Sequence, residues 1–428
     1  MSVREINTRR GDEPSPEAPE MPSLDQFRGC FLGCVLGDAI GAFTERRPTD
    51  KARTFVEKRV NRFDFEGSLE HHGHKFGQVT DDTQLTLRLM LSLTNSKKWD
   101  PEDYADAIAS AFAKNQIVGY GGATQEAATR LLDGASWQDS GTPPPRAGNG
   151  AAMRAAPIGA FFWNDTDALI AAAKEQAIIT HQAPMSVAGS VAIAVATAMC
   201  LNASRTTSGP HERGWWAWLE RFVAREDEDF AGQIKHMADM VFKGRRSRGG
   251  RPTSDEHIEV RDWILEEDDS NWDGISPWAR SSVLWSLYCL MRHPKSPWLA
   301  ISLAIWGGGD TDSTASMAGA LSGALVGAQA FPEELEEKGV YDLIHDTKTD
   351  QIWEEYEIVA DLFYFAVGEL HNEKVLSQVQ DIREYWASTI KEAVDSGATQ
   401  DEILVLQRHK EEAILNHRKT LVEIDEDS

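Results

Sequence analysis

Two acidic motifs stand far apart in the chain, "GQVTDDTQL" at 77–85 and "GGGDTDSTA" at 307–315. Each sets carboxylates beside a hydroxyl: Thr80, Asp81 and Asp82 in the first, Asp310, Asp312 and Ser313 in the second. Hard oxygen donors of this kind suit Mg²⁺, Mn²⁺ or Ca²⁺ and not zinc or copper. The spacing does not match a twelve-residue EF-hand loop. Four carboxylates exceed what one magnesium ion takes from protein, because it keeps several waters. Two ions would use them all and would activate a hydroxyl-bearing substrate. The competing explanation needs no chemistry: adjacent aspartates before an amphipathic helix, and a glycine turn followed by Asp or Ser, both favour a helix start.

Two further patches carry polar groups. In "RAGNGAAMRAAPIGAFF" (146–162) a Gly–Asn–Gly turn leading into a helix exposes backbone N–H groups to an anion such as phosphate. In "ITHQAPMS" (179–186), Thr180 and His181 precede a proline-started helix, where one histidine serves either as a structural hydrogen-bonder or as a ligand. An anionic substrate would also need local cations, for which Arg154 and the basic run "RRSRGGR" are candidates.

The elements that must position these groups show an unusual stripe. "GCFLGCVLGDAIGAFTE" places Gly29, Gly33, Gly37 and Gly41 on one helix face, and Ala315, Gly319, Gly323 and Gly327 repeat the device after the second acidic motif. A helical glycine costs about 1 kcal/mol relative to alanine. Such stripes let two backbones approach closely. The first helix also carries Asp38 and leads to Glu45.

The rest of the chain sets limits. Its 428 residues are 41% hydrophobic with 14 tryptophans, enough for a sizeable core. A net charge of −25 argues against nucleic-acid binding, which needs a basic face. Cys30, Cys34, Cys200 and Cys289 form no CxxC pair and sit in apolar helical runs, as buried free thiols do. The start, "MSVREINTRRGDEPSPEAPEMP", has no secretory pattern, and the apolar run "CFLGCVLGDAIGAF" is too short and polar to span a bilayer. Helical periodicity dominates, at 83–93, 101–114, 184–201 and 351–370, so the fold class expected is all-α. We expect a disordered leader over 1–22, one compact helical domain over 23–371 and a helical C-terminal extension over 372–428. A basic loop (242–256) and an acidic one (266–274) read as surface excursions.

These patches, in this order, resemble the ADP-ribosylglycohydrolase family. The matching pieces are "GCVLGDAIGAFTE", "GQVTDDTQL", "GYGGAT", "GNGAAMRAAPIG", "THQAP" and "GGGDTDSTASMAGALSGALVGA", with Pro332 closing the last, over roughly residues 26 to 335. The resemblance implies a compact all-α fold and a binuclear Mg²⁺ centre, with Mn²⁺ as a substitute. It implies hydrolysis of the bond between the anomeric carbon of ADP-ribose and an acceptor: a protein side chain, a polymer or a small molecule. By the same resemblance Thr80, Asp81 and Asp82 would hold one face of the metal pair, and Asp310, Asp312 and Ser313 the other. Glu45 would be the mobile glutamate of the serine-linkage branch, which Gly119, Tyr120 and Gly121 also match. Gly148, Asn149, Gly150 and Met153 would line the diphosphate and ribose, and His181 the adenine side. Glu45 or Asp312 would then act as acid or base beside the activated water. Where many members carry a glutamate–serine–x–proline helix start, "RSSVLW" (280–285) puts Ser281 in the glutamate's place. The segment 202–280 should contribute to the pocket rim. The alternatives are a binuclear-metal hydrolase of another N-ribosyl or phosphate compound, and a non-catalytic ADP-ribose-binding relative. The expected partner is an ADP-ribose-bearing substrate, with no nucleic acid and no membrane, for a monomer inside the cell, in cytoplasm or nucleus.

Overall fold

The computed structural model describes residues 21–371 apart from 68, 204–208, 248–253, 267 and 269, together with 388, 390 and 391. The expected leader, except for residues 21 and 22, and nearly all of the expected extension lie outside the described residues. Those described are overwhelmingly helical, as expected: sixteen α-helices accompany two hairpins of two-residue strands.

Local signals set many of the helix starts. Ser23 and Gln26 form a reciprocal capping box on Leu24–Gly41. Asp100 accepts the Asp103 N–H before Pro101–Ala113, which carries its proline in the first turn. Pro184–Leu201 is apolar on every side. It is long and apolar enough to cross a membrane, yet 83% of it is buried among the other helices, as a core helix must be. The main hydrophobic cluster runs from Phe27 to Val367 and includes all four cysteines, none of which is paired.

The centre of the fold is the pair Leu24–Gly41 and Thr311–Val326. They lie antiparallel with their stripes facing: Gly29 meets Gly323, Gly33 meets Gly319, Gly37 meets Ala315 and Gly41 meets Thr311. A Cβ built on any of those four glycines of the first helix would collide with a backbone carbonyl of the second. The close approach therefore depends on having no side chain there. It brings Asp38 of the first helix towards Asp312 of the second. The turn before the second helix is pinned as well. Gly309, at φ +83°, gives its carbonyl to the Arg46 N–H, while the Asp310 N–H donates to the Ile275 carbonyl.

Candidate metal centre and active-site cleft

Asp38 supplies the cap that the Asp81–Ser96 helix lacks. Thr80, at the N-cap position, makes no cap with its own side chain. Instead Asp38 Oδ2 accepts the N–H groups of Thr80 (2.9 Å) and Thr83 (3.0 Å), and Oδ1 accepts the Thr80 hydroxyl at 2.7 Å. Asp310, at the start of Thr311–Val326, makes no side-chain cap either, and its Oδ2 accepts the Asn149 amide at 2.6 Å. Capping therefore accounts for neither acidic motif.

What remains is a nest of carboxylates. Oxygens of Asp38, Asp82 and Asp312 all lie within 4.8 Å of one another, and so do those of Glu45, Asp310 and Asp312. Asp312 belongs to both groups. All the aspartates, with Asp81, are buried. Burial raises the pKa of every acid in the nest, and for all but Asp38 the neighbouring carboxylates raise it further. Glu45 rises to about 7 and Asp81 to about 8, while Asp82, Asp310 and Asp312 lie well above the usual range. Asp82 Oδ2 accepts the Ser313 hydroxyl at 3.1 Å, but its buried Oδ1 has no partner. An oxygen-only set of crowded, buried acids with an orphaned oxygen fits hard divalent cations.

The nest forms one wall of a cleft of about 1070 Å³. Every residue assigned above to metal, catalysis or substrate lines it, from Glu45 and Thr80 through Gly119, Tyr120, Gly121, Gly148, Asn149, Gly150, Met153 and His181 to Ser313. Gly119, at φ +80°, lies so close to Thr80 that an added Cβ would stand 3.2 Å from the Thr80 Cβ. Tyr120 is about a third exposed and meets Phe112 edge-on at 5.0 Å.

Other expectations change. The Gly–Asn–Gly turn does not lead directly into a helix; Ala156–Phe161 begins six residues after Gly150 and has only six residues. The Asn149 N–H is spent on the Pro277 carbonyl, so this loop offers fewer free N–H groups to an anion than its sequence suggests. Arg154 does not face the cleft. Fully buried, it donates to Gln176, to the Gly150 carbonyl and to the Thr180 hydroxyl, and so supports the loop from below. Thr180 also meets His181 Nδ1 at 2.8 Å, and burial with Arg154 nearby lowers the His181 pKa to about 3. Its imidazole is thus neutral, packed beneath Gly148 and Gly150. Ser281 is buried and lies off the cleft wall. Residues 248–253 of the basic loop lie outside the described residues, and its flanks are helical, Glu228–Ser247 and Ser254–Glu266.

The acidic loop is more than a surface excursion. Asp273 accepts the Thr49 N–H at 3.2 Å, and Trp272 lines the cleft as the platform for Arg46, whose guanidinium lies 4.1 Å above its ring. Pro277 and Trp278 also line the cleft, so the 202–280 segment does form part of its rim. Sequence reasoning left Asp38 out of the acidic set, although a carboxylate in a glycine–alanine helix was the signal. It missed the Glu70–Lys75 hairpin, whose two-residue strands are too short to alternate visibly.

The sequence profile of the ADP-ribosylglycohydrolase family matches residues 19–365. The chain is 29% identical over 332 residues to ADP-ribosylhydrolase ARH3 of Homo sapiens, covering 73% of this chain and 88% of that one. It is 27% identical over 326 residues to ADP-ribosylarginine hydrolase Tri1 of Pseudomonas putida (strain GB-1), covering 74% of each. A solved structure described as an ADP-ribosylglycohydrolase-related protein complex superposes with a TM-score of 0.51 at 22% identity, over 80% of this chain and 98% of that chain, a likeness of fold.

Proposed function

This chain belongs to the ADP-ribosylglycohydrolase family, and we propose that it is a Mg²⁺-dependent hydrolase that releases ADP-ribose from modified protein side chains. Membership makes it a glycosidase-type hydrolase. The names of its relatives support an ADP-ribosylated substrate. The observation that carries metal dependence is the pair of carboxylate groups sharing Asp312.

Thr80, Asp81, Asp82, Asp310, Asp312 and Ser313 would hold two ions, with Asp38 joining them from the glycine helix. Divalent cations held there would orient ribose hydroxyls and would lower the pKa of a water. The chain's own residues do the rest. The Thr80 hydroxyl donates its hydrogen bond to Asp38, which leaves its oxygen lone pairs available. Asn149 fixes the orientation of the Asp310 carboxylate. Asp312, common to both carboxylate groups, would serve as a ligand and leave proton exchange to another residue. Proton transfer then falls to Glu45. Glu45, the least buried acid of the nest, has its carboxyl oxygens beside those of Asp310 and Asp312, where it can hold or give a proton. Its charged form, with the aspartates, stabilises positive charge developing at the anomeric carbon in an oxocarbenium-like transition state.

The test is release of ADP-ribose from serine-linked and arginine-linked ADP-ribosyl peptides, with Mg²⁺ and with EDTA. Release from either peptide in Mg²⁺ alone is expected. Undiminished release in EDTA would remove the metal from the reading. No release from either peptide would remove modified protein side chains as the substrate.

A further inference from the structure

The cleft wall beyond Glu45 is basic. Leaving Asn149 and Asp310, the line of contacts runs through Glu45 to the hairpin Glu70–Lys75. His71 Nε2–H donates to the Glu45 carbonyl at 2.7 Å, and Arg47 Nε donates to His71 Nδ1 at 3.3 Å. Arg47 also donates to the Glu70 carbonyl at 3.2 Å. The hairpin is thereby fixed to the residue that carries the proton.

Every ionisable residue that lines the cleft on this side of Glu45 is of basic type: Arg46, His71, His72, His74 and Lys75. Glu70, the strand partner of Lys75, does not line it. His72 and Lys75 are exposed, and Lys348 and His345 lie near His74. Arg46 is 62% exposed although its guanidinium lies on Trp272 and its Nε stands 3.4 Å from Glu45 Oε1. Arg46 (φ +58°) and His72 (φ +48°) both hold left-handed backbones without being glycine. At His72 this is the backbone of the two-residue turn His72–Gly73 that closes the hairpin, and it holds the His72 side chain at the rim.

This rim is an exception in a chain of net charge −25, which otherwise repels anions. Its position names the anion. The proton carrier must stand at the bond that breaks, and the Asn149 loop lies on the Asp310 side of it. The surface beyond Glu45 is therefore where the acceptor leaves. Resting on the hydrolase reading above, we propose that Arg46 and the 70–75 hairpin form an acceptor subsite that selects ADP-ribosylated peptides with aspartate or glutamate next to the modified residue. Arg46 and Lys75 supply charge, His72 and His74 supply donors, and His71 holds the hairpin in place.

The experiment compares two ADP-ribosyl peptides of the same linkage, one flanked by glutamates and one by alanines. The wild-type chain should favour the acidic peptide by about tenfold in kcat/KM, the yield of a few exposed ion pairs, through KM. That preference should shrink as salt is raised from about 50 to about 500 mM, which shortens the screening length from above about 10 Å to well below about 8 Å. The double variant His72→Glu, Lys75→Glu should abolish or invert the preference while free ADP-ribose binds with unchanged affinity. Equal cleavage of both peptides by the wild type, or a preference indifferent to salt, overturns the subsite without touching the hydrolase. So does a double variant that keeps the preference, or one that loses free ADP-ribose binding in its place. Cleavage of neither peptide overturns the hydrolase reading itself, and the subsite with it.

Discussion

Asp38 and Thr80 are joined twice, by the Thr80 hydroxyl on Oδ1 at 2.7 Å and the Thr80 N–H on Oδ2 at 2.9 Å. One buried carboxylate thus caps a helix and orients an expected metal ligand. Asp38→Ala should cost about 1–2 kcal/mol as a lost cap. Asp38→Asn keeps an oxygen for one of these bonds and should recover part of that stability. Neither variant should show the full rise in Tm that Mg²⁺ gives the wild type. Thermal melts with and without Mg²⁺ check this; a full rise in both would make Asp38 a cap only.

The carboxylate nest makes stability depend on pH and metal together. The folded-state pKa values of Glu45 (about 7) and Asp81 (about 8) are raised above those of the unfolded chain, so the folded state binds the extra protons. Stability from these groups is present below about pH 4 and is lost as pH rises through 7 and 8. The metal-free protein should therefore melt at a lower temperature at pH 8 than at pH 6, as far as these groups decide it. Mg²⁺ should raise Tm more at pH 8. A Mg²⁺ effect equal at both values would contradict the coupling.

Glu45→Gln keeps the shape of the side chain and removes its proton exchange. The variant should lose about 10²- to 10⁴-fold in kcat while Asp38, Asp82, Asp310 and Asp312 still give part of the stabilisation by Mg²⁺. Single-turnover release of ADP-ribose and thermal melts separate the two. A variant with full turnover would eliminate Glu45 as the proton carrier.

Gly33→Ala places a methyl against the Gly319 carbonyl, and the two helices can relieve the clash only by separating. Overpacking of this kind costs about 1–3 kcal/mol, and more where backbone opposes it. Gly232→Ala, in Glu228–Ser247 with open space around its Cβ position, should instead gain up to about 1 kcal/mol from helix propensity. Urea unfolding of the two variants gives opposite signs, or the packing argument fails.

Helices were the legible part of the sequence, and their reasons are local. Prolines 101 and 184 open helices where expected, and the periodic runs at 83–93 and 351–370 lie within or across Asp81–Ser96 and Trp353–His371. Residues 351 and 352 form a short strand instead, because they pair with His345 and Asp346. The glycine stripes announced a close approach, but not which residues would meet; that register belongs to the pair of helices. Asp38 was visible and its partners were not, since they lie more than forty positions away. Arg154 looked like a free cation because a sequence does not say which way an arginine points. Trp272 sat in an acidic run that reads as solvated, and contacts distant in sequence, Asp273 on Thr49 and Trp272 under Arg46, turn that run towards the cleft.

The paired glycine helices also fix when the site can exist during synthesis. Cys34 and Ser316, 3.0 Å apart across that contact, are separated by 282 positions. At about 5–20 residues per second, the ribosome needs roughly 15 to 60 s to supply the second helix after the first. Until then the first helix has a bare backbone stripe with nothing to lie against, and Asp38 lacks the carboxylate it is to share. The centre is therefore a late product of translation, and a chain truncated before residue 311 would carry one acidic motif without the other.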